Sequence, residues 1–106
     1  MHQIKIPPTI KIGTHTYQVN YERNLIANEN KLGSAAHLKQ LILIEPEQAK
    51  SEKDATFIHE VIHIIERMYS ITINDADVDR LSQGIMELLV NNFGIKFNWE
   101  NIKEEK

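Results

Sequence analysis

Hydrophobic and polar positions change their period near the middle of this chain. In the first half they alternate over residues 10–12 and 17–21, which is typical of strands with one buried face. Gly13 lies between these two segments, and the apolar run 41–44 has the length of a well-buried strand. The pattern therefore predicts three or four strands that form a small, mainly antiparallel sheet within residues 4–45.

The second half has the helical period. A first helix places on one buried face Ile58, Val61, Ile62, Ile65 and Tyr69, and a second helix does the same with Val78, Leu81, Ile85, Leu88 and Leu89. Ser51 followed by Asp54 predicts a capping box at the start of the first helix. Asn74 predicts the N-cap of the second helix, and Gly94 its left-handed C-terminal residue. Strands followed by two helices indicate an α+β fold.

Length and composition limit the possible classes of protein. A chain of 106 residues, 42% hydrophobic and 25% charged, fits a single folded domain over residues 1–106. Its charged end, residues 98–106, is expected to fray. The absence of a leader pattern or a bilayer-length apolar run leads us to expect a cytoplasmic protein without a membrane partner. A net charge of −3 without a basic stripe argues against direct nucleic-acid binding.

The chemistry is carried by His59-Glu60-Val61-Ile62-His63, an H-E-x-x-H sequence inside the first predicted helix. Residues four apart project from the same side of a helix, so both imidazoles can bind one cation. The chain contains no cysteine, which leaves only nitrogen and oxygen donors. We therefore expect Zn²⁺, with a water that Glu60 deprotonates before passing the proton to a leaving amine.

Helical angles predict where these three side chains point. With Ile58 as the centre of the apolar face, His59 and His63 lie about 100° and 140° around the helix, and Glu60 about 200°. The histidines would then border a cleft, and Glu60 would point further outward. The alternative interpretation is a solvated helical stripe that binds no metal.

The third ligand must come from elsewhere in the fold. Glu66 follows His63 by one turn, and its position suits a partner of a histidine better than a ligand, and a solvated side chain better still. Asp77 is expected to serve the cap of the second helix, and Asp79 to point to solvent. Asp75, in the first turn and on the flank of the apolar face, is the predicted ligand, with Asp77, Asp79 and Glu66 as alternatives.

Two segments resemble the ImmA/IrrE-like group of small zinc metallopeptidases from phages and mobile elements. Residues 57–65 contain the H-E-x-x-H sequence, and residues 75–85 are similar to the ligand helix of that group. Shorter likenesses upstream extend the resemblance to most of residues 9–93. The third ligand of the group falls on Asp75, where the group more often has the longer Glu, and Asp79 stands where Asn is common.

The resemblance implies a minimal zincin-like fold, with a sheet followed by an H-E-x-x-H helix and a second ligand-bearing helix. It also implies a zinc metalloendopeptidase whose substrate is a protein or peptide, such as a regulatory protein of a phage or mobile element. Residues 41–44 are the expected edge strand for that peptide. Tyr69 and His37 are candidate oxyanion donors, although structural roles are more typical of both. The alternative function is a non-catalytic, metal-stabilised binding module of the same fold.

Overall fold

In the described part of the chain, strands precede and follow a pair of long helices. The computed structural model describes residues 2–25 and 31–104. Within these residues the elements are β1 (His2–Lys5), β2 (Thr9–Ile12), β3 (His15–Tyr21), β4 (Gly33–Ala36), β5 (Leu41–Ile44), α1 (Lys50–Tyr69), α2 (Asp75–Phe93), β6 (Ile95–Asn98) and β7 (Lys103–Glu104). The predicted α+β class is confirmed.

The main sheet has the strand order β2-β3-β5-β4, with β7 also paired to β3. β2–β3 and β4–β5 are antiparallel hairpins, whereas β5 and β7 run parallel to β3. The first hairpin turns at Gly13, whose φ of 62° is in the left-handed region that glycine adopts without steric cost. The sheet is therefore mixed, whereas the sequence predicted a mainly antiparallel one. The reason is that β4 lies at the edge, so that β5 returns between β4 and β3 and runs in the direction of β3.

The C-terminal segment packs into the molecule. β6 runs parallel to β1, and β7 runs parallel to β3. Trp99 and Ile102 are buried in the main core, and the Trp99 ring stacks on Tyr21 with 6.0 Å between ring centroids. The expectation of fraying is therefore wrong for residues 98–104, because two apolar side chains in this charged segment fill the core. Residues 105–106 lie outside the described residues.

The helix ends agree with the sequence for α2 and disagree for α1. The Asn74 side chain accepts a hydrogen bond from the Asp77 N–H at 2.9 Å, and Gly94 ends α2 with a φ of 60°. α1 begins after Ala49 without a side-chain cap, so the predicted capping box is wrong. Asp54 is instead buried. Its carboxylate accepts hydrogen bonds from Trp99 Nε1 at 2.7 Å and from Lys50 Nζ at 3.0 Å, which satisfy it in the interior.

The buried face of α1 is rotated from the predicted one. Phe57, Glu60 and Ile64 are buried, whereas Ile65 and Tyr69 are 36% and 61% exposed. α1 packs against the sheet on one side and against α2 on another, so its apolar face is wide. The centre of that face therefore does not show which residues of α1 contact the sheet. The rotation brings Glu60 to the interior.

The buried face of α2 differs in the same way. Its buried residues are Val78, Ser82 and Met86, while Leu81 and Leu88 are 45% and 52% exposed. Neither helix in the described part of the chain has the length and apolar character needed to cross a bilayer.

Candidate metal centre

The two histidines of the H-E-x-x-H sequence point to one place. His59 and His63 lie one turn apart on α1, and their Nε2 atoms are 2.9 Å apart. Their side chains are 19% and 29% exposed. The predicted position at the border of a cleft is therefore confirmed for both rings.

The opposite ring nitrogens are both held by carboxylates. His59 Nδ1 lies 2.7 Å from Asp79 Oδ1, and His63 Nδ1 lies 2.7 Å from Glu66 Oε1. An ionised carboxylate only accepts hydrogen bonds, so Nδ1 is the donor in both contacts, which leaves Nε2 of each ring to offer a lone pair. The two facing lone pairs repel each other unless a cation or a proton lies between them. The arrangement therefore favours a positive ion at this point.

Asp75 brings the third donor from the first turn of α2. Its Oδ1 is 3.3 Å from His63 Nε2, and ligand atoms of His59, His63 and Asp75 all lie within 4.8 Å of one another. Metal–ligand bonds of about 2.0–2.1 Å in a tetrahedral site require ligand atoms about 3.3 Å apart. These three residues could hold a metal ion, and the two imidazoles and one carboxylate fit a site with a fourth, open position. The Asp75 side chain is 84% exposed, so Asp75 lies on the solvent-facing side of the group.

Glu60 is buried beside the histidines, contrary to the outward position predicted from the helical wheel. It is 7% exposed, and a Cβ added to Gly33 of β4 would lie 3.2 Å from its Oε2. Burial raises the pKa of the Glu60 carboxyl above its usual range, while the nearby His59, His63 and Lys31 act in the opposite direction. A carboxylate with a raised pKa is a stronger base than a solvated one.

A cleft of about 980 Å³ runs past this centre. Its walls include residues of β4, the cleft side of α1 and the first turns of α2. β4 pairs with β5 on one side, and no strand in the described residues pairs with its other side. The expected edge strand, Leu41–Ile44, is instead β5 and is covered by β3 and β4 on both sides. Its apolar side chains are mostly buried, which is typical of a central strand.

The alternative ligands have other partners. Asp77 belongs to the Asn74 cap, as predicted, and its Oδ1 accepts a hydrogen bond from Arg80 Nη1 at 2.7 Å. Asp79 was expected to point to solvent, and its side chain is 70% exposed. The contact of its carboxylate with His59 was not predicted, and it arises because the buried face of α2 lies at Val78 and Ser82 and turns Asp79 to the side of α1. Glu66 is a partner of His63, one of the two roles expected for it, and its side chain is 13% exposed, so the preferred expectation of a solvated side chain is wrong.

A signal for Asp79 is present in the sequence. Asp75 and Asp79 are four residues apart on α2, the same spacing that His59 and His63 have on α1. His63 contacts Asp75 and His59 contacts Asp79, so the two pairs face each other on antiparallel helices. Two pairs with matching i, i+4 spacing on consecutive helices indicate this arrangement.

The candidate oxyanion donors occupy different places. Tyr69 is 61% exposed and does not line the cleft. His37 lines the cleft, together with Arg67 of α1, which the sequence analysis did not single out. Burial, with Arg67 and His63, lowers the pKa of His37, which favours the uncharged form of its ring. Its Nδ1 is 3.4 Å from the Tyr17 hydroxyl.

Comparisons with protein-family models, with curated proteins and with solved structures gave no match to this chain. The resemblance to the ImmA/IrrE-like group therefore stays a prediction from the sequence. The case for a function depends on the geometry of the centre.

Proposed function

We propose that this protein is a zinc-dependent metallopeptidase. The observation that carries the proposal is the pair of Nε2 atoms of His59 and His63, 2.9 Å apart, with both Nδ1 atoms held by carboxylates. Asp75 completes a set of two nitrogens and one oxygen, which is typical of catalytic zinc sites. The H-E-x-x-H sequence and the resemblance to the ImmA/IrrE-like group support the same function.

The residues around the centre divide the chemistry between them. A bound zinc ion would supply Lewis acidity, which lowers the pKa of a water towards about 7 and polarises a peptide carbonyl. Glu60 adjoins His59 and would accept a proton from the attacking water. The raised pKa of Glu60 suits it to take up this proton and then donate it to the leaving amine. Its burial keeps the carboxylate from being solvated.

The cleft supports an extended peptide as the substrate. β4 has an unpaired edge among the described residues, and Gly33–Ala35 line the cleft beside His59 and Glu60. A peptide that added to this edge as a further strand would lay its backbone along the metal centre. The resemblance favours a regulatory protein of a phage or mobile element as the source of that peptide.

The test compares wild type, Glu60→Gln, His63→Ala and Asp75→Ala. Elemental analysis measures zinc, and mass spectrometry measures cleavage of a library of unstructured peptides. Glu60→Gln should keep stoichiometric zinc and lose at least about 10²-fold in cleavage rate, because the amide cannot take the proton. His63→Ala and Asp75→Ala should lose both zinc and cleavage.

The matched control is Glu87→Gln, which removes the same charge from an exposed position of α2. It should retain zinc and cleavage. Cleavage by Glu60→Gln at the wild-type rate would contradict the role of Glu60, and retention of zinc by Asp75→Ala would contradict the ligand assignment.

A non-catalytic, metal-stabilised binding module is the second candidate. The observation that favours it is that α1 and α2 meet at the centre through two contacts, His59–Asp79 and His63–Asp75. A cation there would crosslink the helices, and zinc at 100 times its Kd would add about 2.7 kcal/mol to stability. Zinc-dependent stabilisation without cleavage of any peptide by wild type would favour this module.

A further inference from the structure

Glu66 occupies the point where α1 meets the connection to α2. Its backbone carbonyl accepts a hydrogen bond from the Ile71 N–H at 2.9 Å, and Ser70 ends α1 with a left-handed φ of 57°. The connection to Asp75 is therefore short and begins with a sharp turn. The conformation of this turn determines how closely the N-terminus of α2 approaches α1.

Both carboxylate oxygens of Glu66 are engaged. Oε1 accepts from His63 Nδ1 at 2.7 Å, and Oε2 accepts from the Ile73 N–H at 2.8 Å. The side chain is 13% exposed. The hydrogen bond from Ile73, with a smaller contribution from His63, lowers the pKa of Glu66 although desolvation opposes this. By these two hydrogen bonds, one side chain contacts a ligand histidine and the segment that leads to Asp75.

The second bond matters because an aspartate is a short ligand. Asp75 follows Ile73 by two residues, and its carboxylate has one methylene less than a glutamate would have. The start of α2 must therefore lie close to His63 for the Asp75 Oδ1 to reach within 3.3 Å of Nε2. The bond from Ile73 to Glu66 holds the connection at this short distance.

We propose that Glu66 is a positioning residue of the metal centre, which sets the distance between His63 and Asp75 by bonding to His63 Nδ1 and to the Ile73 amide. The proposal rests on the metal-binding part of the proposed function and does not require hydrolysis. An ordinary structural role at the end of α1 would affect the metal-free and zinc-bound proteins equally. A positioning role affects the affinity for zinc.

The experiment measures zinc affinity by competition with a chromogenic chelator for wild type, Glu66→Gln, Glu66→Ala and the control Glu87→Gln. The glutamine keeps one acceptor oxygen but presents an NH₂ group to the other donor, so one of the two bonds is lost. We expect zinc affinity to fall about 10-fold in Glu66→Gln and up to about 100-fold in Glu66→Ala. Glu87→Gln should bind zinc as wild type does.

Two further measurements separate positioning from stability alone. The visible absorption spectrum of the Co²⁺-loaded protein should change in Glu66→Gln, because the geometry of the donors changes. Hydrogen exchange of the Ile73 amide in the metal-free protein should accelerate in both variants. An affinity within twofold of wild type in Glu66→Ala, or an equal loss of melting temperature with and without zinc, would overturn the proposal.

The outcome also distinguishes this proposal from the proposed function. Tight zinc binding by wild type without peptide cleavage would contradict the peptidase and leave the Glu66 measurements decisive. Tight binding and cleavage in wild type, with an unchanged affinity in Glu66→Ala, would overturn the positioning role alone. Failure of wild type to bind zinc would overturn both.

Discussion

At the scale of single residues, the position of Glu60 depends on the absence of a side chain at Gly33. Gly33 in β4 leaves room for α1 to approach the sheet, and Glu60 lies in that space. Thr56, the other residue at this contact, is buried, and its hydroxyl donates to Gln48 Oε1 at 2.9 Å. The buried Glu60 carboxyl and the edge of β4 that no described strand covers therefore meet at one glycine.

Gly33→Ala should disturb this contact. The new Cβ would lie 2.6 Å from Thr56 Cγ2, which is too close for van der Waals contact, and 3.2 Å from Glu60 Oε2, which is a tight contact. We expect a loss of about 1–3 kcal/mol in the free energy of unfolding, measured in urea, together with a lower rate of any peptide cleavage.

The control for this prediction is Gly84→Ala in the middle of α2, where a Cβ would meet nothing within 4 Å. It should stabilise the protein by about 0.5–1 kcal/mol because alanine is the better helix former. An unchanged stability of Gly33→Ala would show that the sheet and α1 move apart at little cost, contrary to the close contact described above.

At the scale of elements, the ends of α2 were more predictable than its buried face. Asn74 and Gly94 act locally, through hydrogen bonds and a backbone conformation within one turn, and both were predicted from residue type and position. The buried face depends on which neighbours the helix packs against. Leu81 was expected inside and is 45% exposed, while Ser82 is 2% exposed.

Asn74→Ala should destabilise the start of α2. The Asn74 side chain accepts the Asp77 N–H, and alanine leaves that donor without this partner. The expected loss is about 0.5–2 kcal/mol in the free energy of unfolding, measured by denaturant titration.

Asn91→Ala is the matched control, since Asn91 is exposed near the other end of α2 and its side chain makes no hydrogen bond among the described residues. Its stability should stay within about 0.5 kcal/mol of wild type. Equal stability of the Asn74 and Asn91 variants would argue that the cap contributes nothing in this protein.

At the scale of the whole molecule, the C-terminal segment closes the core. Trp99 lies between Tyr21 of β3 and Phe57 of α1, and its indole N–H donates to the buried Asp54 carboxylate. These contacts join residues that are far apart in the chain. The charged composition of the segment concealed this role, because only Trp99 and Ile102 enter the core.

Trp99→Phe should show how much the hydrogen bond from Trp99 to Asp54 contributes to stability. Phenylalanine keeps an aromatic ring in the core but removes the donor, so Asp54 loses one of its two partners in a buried place. We expect a loss of about 1–3 kcal/mol in the free energy of unfolding, measured by circular dichroism. Tyr69→Phe, at a position that is 61% exposed, should change it by less than about 0.5 kcal/mol. A similar stability for both variants would contradict the role of the Trp99–Asp54 bond.

The sequence by itself determined the features that depend on near neighbours in the chain: the α+β order, the first hairpin, the ends of α2 and the shared direction of His59 and His63. Helix and turn geometry dictates these within a few residues. The sequence also predicted Asp75 as the third ligand, and Asp75 joins the two histidines in a group that could hold a metal ion.

Only the tertiary structure decided the burial of Glu60, the contact of Asp79 with His59, the edge position of β4 and the packing of the C-terminal segment. Each of these depends on how elements separated by loops rotate and approach one another. The rotation of a helix follows from the packing of the whole core. When its apolar face is wide enough to contact two neighbouring elements, the sequence pattern does not specify which part of that face contacts which element.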